Sequence, residues 1–317
     1  MVAILGGLGA AVAWTLSTLF SSRASRIIDP VVVVAGLAIV GFVVVAPFVL
    51  ADGVPARLDG AAAGWLALAG VGNILGLLLV YIAYREGAAV ALIAPLVATE
   101  GAIAALIAIA GGESVSAGVG VTLAVIALGI SLAATPPRQR RRGAAPEDAA
   151  ASPVDRGEHR TVAIGAEAAG SASAGSVHSR RVLVLAALAA VSFGASLYAT
   201  GRVSSTLPLS WVVMPARLVG VALVAMPLLA AGRLRPRVFA PAWPLVAGAG
   251  VCEVLGFASF TLGARHDIAV AAVVACQFAG LSAIAAYLLF GERLGRLQLT
   301  GVVVLLIGIS VLSGIRG

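Results

Sequence analysis

The chain is 317 residues long, 61% hydrophobic and 11% charged, with a formal net charge of +7 and a mean hydropathy of +1.07. Soluble domains average about half apolar and a quarter charged, so a water-soluble enzyme is excluded and a polytopic membrane protein is expected. Lys is absent and the basic residues are Arg, gathered mainly in the loops; there they report topology rather than a nucleic-acid partner.

Apolar runs near the roughly twenty residues that span a bilayer cover 2–20, 30–51, 61–84, 88–110, 115–134, 182–200, 208–231, 241–264, 268–290 and 296–314. These ten segments predict an all-α protein, since helices satisfy their own backbone groups in lipid. The first segment has no basic residue before it but is followed by Arg23 and Arg26, the reverse of a cleavable signal peptide. Residues 135–180 open with Arg138, Arg140, Arg141 and Arg142 and continue in Ala, Gly, Ser, Glu and Pro without apolar periodicity. That composition predicts a disordered linker between residues 1–134 and 181–317. Cys252 and Cys276 fall in apolar segments without CxxC or His-rich spacing, so they are expected to be packing residues, with no metal or other cofactor.

Residues 267–313, two apolar segments joined by Phe290-Gly291-Glu292-Arg293-Leu294-Gly295, overlie the chain at an offset of 179 residues. Gly112-Glu113 then meets Gly291-Glu292, Gly129-Ile130-Ser131 meets Gly308-Ile309-Ser310, and Gly101, Ala104 and Val125 meet Gly280, Ala283 and Val304. The match predicts two five-helix repeats, and because five is odd the second enters the membrane from the opposite side. Outside the linker, Arg23, Arg26, Arg85, Arg233, Arg235, Arg237, Arg293 and Arg296 follow the odd-numbered segments, against Arg57, Arg202, Arg265 and Arg316 on the other side. The positive-inside rule therefore predicts both termini outside the cytoplasm.

Gly291-Glu292-Arg293-Leu294, Gln298, Gly301 and Gly308 at the last hairpin, Ala264-Arg265 before the ninth segment and Tyr84-Arg85-Glu86-Gly87 before the fourth resemble the EamA family of the drug/metabolite transporter superfamily. The resemblance covers both halves and omits the linker. It implies a secondary carrier of small metabolites, amino acids or drugs in a plasma membrane, with segments 1–4 and 6–9 around a cavity and segments 5 and 10 peripheral. The two copies depart from each other: Pro95 pairs with Val274, Arg217 with Leu37, and Thr122 with Gly301.

Strongly polar side chains deep in the apolar segments are the candidate substrate pathway: Asn73, Glu100, Arg217, Glu253 and Gln277. At an offset of 180, Asn73 overlies Glu253. An ionised side chain at mid-membrane costs about 2.5 to 3.5 kcal/mol even on insertion scales, so each is expected to face protein or water. Arg217 with Glu253, on consecutive segments, is the first candidate pair; the alternatives for it are a static helix clamp or an Arg217 fork for a substrate carboxylate or phosphate. Glu100 and Glu253 are the proton-carrier candidates, Glu100 the better because it lacks a basic partner and an unpaired buried carboxylate favours its neutral form. Trp14, Tyr84, Phe193 and Tyr198 could line the cavity, with packing or the interfacial aromatic belt as the competing role. Glu113, Glu292, His266 and Asp267 read as turn residues.

HExxH, GxSxG and P-loop motifs are absent from the sequence, so no enzyme is expected. The expected function is a proton-coupled or exchange-driven carrier of a small polar molecule, leaning to export. A flippase for lipid-linked compounds and a non-transporting membrane scaffold are the competing readings; oligomeric state is left open.

Overall fold

The structure, a computed structural model, describes residues 1–85, 97, 99–112, 117–133, 161–278 and scattered positions between 280 and 311; the side chains of 161–180 and a few others, Tyr84 among them, fall outside that description. Every regular element among the described residues is helical: α1 (Val2–Ala24), α2 (Pro30–Asp52), α3 (Gly60–Arg85), α4 (Glu100–Ala110), α5 (Ala117–Ala133), α6 (Thr161–Ser204), α7 (Leu209–Ala230), α8 (Trp243–Ala264) and α9 (Ile268–Ala275), with a one-turn helix at Pro236–Phe239. Six of them hold stretches long and apolar enough to cross a membrane: Val2–Ser21, Pro30–Asp52, Gly60–Val80, Arg181–Ser204, Leu209–Ala230 and Trp243–Ala264. The chain is thus a multi-pass membrane protein. Pro95, the Gly291-Glu292-Arg293-Leu294 turn, Glu113 and much of the tenth segment lie outside the described residues.

Helix ends are cut where sequence chemistry demands. Asp29 Oδ1 accepts from the Val31 amide at 2.8 Å ahead of Pro30, and Asp267 Oδ1 from the Val270 amide at 2.8 Å, each satisfying an orphan donor of the first turn. Gly53 and Gly232 close α2 and α7 with φ of +65° and +68°, a region only glycine enters freely.

Two helices differ from expectation. Helical backbone reaches back to Thr161, into the stretch that composition assigns to a linker; beyond Pro153 that stretch has no Pro and is rich in Ala, the strongest helix former. The ninth segment, expected as one helix over 268–290, stops at Ala275 and turns at Cys276 and Gln277.

Small residues set the packing, as they do where lipid supplies no hydrophobic drive between helices. α1 runs antiparallel to α8, with Gly6 against Gly263, Trp14 against Gly256 and Phe20 against Gly248. α3 runs antiparallel to α6, with Gly72 against Ser192 and Ser196 and Gly76 against Phe193. α2 runs antiparallel to α7: Ala38 meets Gly220, Gly41 meets Arg217, and Ser210 donates to Asp52 Oδ2 at 2.5 Å. α2 lies parallel to α8 through Gly36–Val246 and Val40–Gly250, and α3 parallel to α7 through Gly70–Pro215 and Ile74–Gly220. α1 beside α9 and α4 beside α6 complete the frame, with α4 also on α9 through Gly101–Cys276. Large apolar side chains such as Leu50, Leu223, Leu229 and Trp243 point outward, the inverse of a soluble protein and suited to lipid.

Candidate functional site

Arg217 stands two residues after Pro215 on α7 and just ahead of a π turn at Val221–Ala225. Pro215 removes a helix donor and π turns recur at functional sites, so the helix is locally irregular where its guanidinium projects inward. The side chain is 4% exposed. Its Nη2 lies 3.8 Å from Glu253 Oε1 and donates to the Glu253 carbonyl at 3.5 Å. The guanidinium carbon sits 4.9 Å from the centre of the Phe257 ring, a cation–π contact. A charge-assisted hydrogen bond closes to about 2.7 to 2.9 Å, so the pair expected from sequence is present but loosely drawn together.

Glu253 takes a second partner from α1: Ser17 Oγ lies 3.4 Å from Oε2 and 3.1 Å from the Ala249 carbonyl. Trp14, one turn earlier on α1, packs edge-on to Phe257 with centroids 5.4 Å apart and to Phe278 at 6.1 Å. Thr15 Oγ1 lies 2.8 Å from the Ala11 carbonyl and 3.2 Å from the Phe278 carbonyl beside the turn in the ninth segment, sharing one proton between them. Gln277 occupies that turn at 4% exposure.

Glu100, 6% exposed, opens α4 rather than standing inside a described helix. Its Oε1 lies 3.6 Å from the Cys276 thiol, so Cys276 is a polar partner of the carboxylate across the α4–α9 contact as well as a packing residue. Glu253 lies within electrostatic reach of Glu100. Thr99, just ahead of α4, is a turn residue, as are Cys276 and Gln277 just after α9. Broken helices at membrane depth occur where they are shielded by protein or line a water-filled site.

Among the described residues, the buried side-chain polar atoms without a hydrogen-bond partner are Trp14 Nε1, Asn73 Oδ1, Arg217 Nε and Gln277 Nε2. All four belong to residues that depth in the apolar segments, or aromatic character, singles out from sequence. Buried polar atoms are ordinarily paired, and an apolar setting makes an unpaired one costly.

Other candidates lie elsewhere. Tyr198 packs edge-on to Trp65 at 5.7 Å and against Gly111, and Phe193 fills the space over Gly76, so both serve the seams of α6. His266 is exposed, and Asp267 caps α9; with Met1 and Ile4 they border a cleft of about 290 Å³ at the bundle end. Ser17, Thr15, Phe257 and Phe278 escaped the sequence reading. Phe257 follows Glu253 by one helical turn and Ser17 follows Trp14 by three residues, so same-face spacing was the signal for these two; Phe278 and Thr15 carried none.

No family model matches the chain, and no curated protein matches it. A solved structure described as "Crystal structure of protein" superposes over 99% of this chain and 96% of its own, with a TM-score of 0.69 and 17% identity. At that identity the likeness speaks for the fold alone.

Proposed function

We propose that the chain is a secondary carrier that moves a small polar molecule across a bacterial plasma membrane by alternating access, with Trp14, Asn73, Arg217, Glu253, Gln277 and Glu100 along the pathway. The observation that carries this is the set of buried, unpaired polar atoms on α1, α3, α7 and beside α9. A static scaffold gains nothing from leaving four such groups unsatisfied, whereas a binding site keeps them for its ligand.

The contact directions support two inverted halves. Exchanging α1–α4 with α6–α9 carries the α1–α8 contact onto α6–α3, α2–α8 onto α7–α3 and α1–α9 onto α6–α4, while α2–α7 and α4–α9 map onto themselves. Followed from α1 through α8, α2, α7 and α3 to α6, the antiparallel and parallel steps leave α1 and α6 running in opposite directions. Ten spans, the fifth and tenth peripheral, belong to the same proposal. So does membership of the EamA family, which rests on the residues that resemble it. Rocking of such halves about a fixed central site is the motion that inverted repeats perform.

The test is a metabolite profile of cells and medium for wild type, Arg217→Ala and Glu253→Gln at matched membrane levels. A compound class that accumulates outside for wild type alone supports export and identifies the substrate. Three indistinguishable profiles, followed by no uptake into proteoliposomes, would falsify the carrier.

A further inference from the structure

The unpaired atoms are not evenly divided between donors and acceptors. Trp14 Nε1, Arg217 Nε and Gln277 Nε2 are donors; Asn73 Oδ1 is the lone acceptor among them. Two of the donors share an aromatic neighbour, since Trp14 packs on Phe257 and Phe278 and Arg217 lies over Phe257; Gln277 is next to Phe278 in the chain. What such a site lacks is a group rich in acceptor oxygens joined to an apolar or planar body.

Charge sharpens the assignment. Among the described residues Arg217 is the sole buried cation, and its charge is already matched by Glu253. The groups against Glu253 are Ser17 from α1 and Arg217 from α7, with Cys252 on its own helix and, within electrostatic reach, Glu100 from α4. None supplies a second positive charge. An anion entering this low-dielectric space alone would leave the cluster with an uncompensated negative charge, which burial penalises heavily.

Resting on the carrier reading above, we infer that the site binds the oxyanion of an organic acid together with one proton, which is taken from the aqueous phase onto Glu253. Protonation turns the carboxylate into a neutral acid, the 3.8 Å contact to Arg217 loosens further, and the guanidinium turns its Nη and Nε donors to the ligand carboxylate or phosphate. Trp14 Nε1 and Gln277 Nε2 complete its shell, and the rings of Phe257 and Phe278 cover its body. The transported unit is electrically neutral, anion plus proton.

The experiment uses the full chain in lipid nanodiscs with three probes of one shape: benzoate, benzamide and benzylammonium. Benzoate is expected to raise the unfolding temperature while the other two do not, with one proton drawn from a weakly buffered indicator solution per benzoate bound. Glu253→Gln should bind benzoate without proton uptake and without pH dependence. Trp14→Phe, which keeps the ring and loses one N–H, should weaken benzoate roughly tenfold, and it stays informative if an Arg217 variant fails to fold. Stabilisation by benzylammonium instead, wild-type benzoate binding without proton uptake, or no benzoate binding at all overturns the assignment. Benzoate bound with its proton but never moved in proteoliposomes sinks the carrier and leaves the site standing; flux of benzylammonium does the opposite.

Discussion

The seam between α1 and α8 and the seam between α3 and α6, both antiparallel and counterparts under the proposed exchange of halves, are finished differently. In the first, a glycine contact at Gly6 and Gly263 gives way at mid-depth to Ser17, Glu253, Trp14 and, from α7, Arg217. In the second, Ser196 donates to the Ala69 carbonyl at 2.6 Å, Gly72 and Gly76 receive Ser196 and Phe193, and Trp65 meets Tyr198. Similar backbone geometry carries a partly unpaired cluster of charged residues on one side and, apart from Asn73 Oδ1 on α3, paired packing on the other. On the proposed carrier, the two halves would share a frame while most of the charged chemistry lies in one seam.

Arg217→Ala should have the largest effect on this contrast. Removing one partner of a buried pair typically costs about 3 to 5 kcal/mol, so thermal unfolding in detergent should drop sharply and transport should disappear; an unchanged melting temperature would make the pair incidental. Gly6→Val comes next. A Cβ there would sit 2.5 Å from the Gly263 Cα, and forced overpacking costs about 1 to 3 kcal/mol. The expected result is a lower melting temperature, with Gly72→Val in the opposite seam lowering it comparably, because the frame is shared. Ser196→Ala should cost about 0.6 kcal/mol, the mean for interhelical hydrogen bonds in a membrane, and should leave transport intact; loss of transport would show that the α3–α6 seam is also functional. Asn73→Leu is expected to leave stability unchanged or raise it, since a buried Oδ1 without a partner gives way to an apolar group. Transport should nonetheless fall, and a variant that transports normally would remove Asn73 from the pathway.

Membrane class and the polar cluster were legible because a charge in an apolar segment is anomalous on its own, whatever surrounds it. Arg217 and Glu253 were paired from adjacency of their segments alone. The aromatic floor was not legible: Phe257 and Phe278 look like any lipid-facing aromatic until the partner helices are in place. Nor was the turn at Cys276 and Gln277, because Ile268 to Phe290 reads as unbroken apolar helix with no Pro to announce an interruption, and Cys276 gains its role only from Glu100 on a helix 176 residues away. Tyr198 and Phe193 were drawn into the candidate set by their type, and their seams are settled by which glycines they face. The helix ahead of Arg181 escaped because low hydrophobicity argues against burial, while Ala content alone favours a helix.

Alternating exposure of the polar cluster is the central claim, and thiol labelling tests it most directly. In a chain with Cys252 and Cys276 replaced by Ala, single cysteines at Asn73, Trp14 and Gln277 would be treated with a bilayer-impermeant maleimide from either face of sealed vesicles. The carrier predicts labelling at each position from both faces, with the ratio shifted when substrate is present. Labelling from neither face would mean a permanently sealed helix seam and would contradict the account.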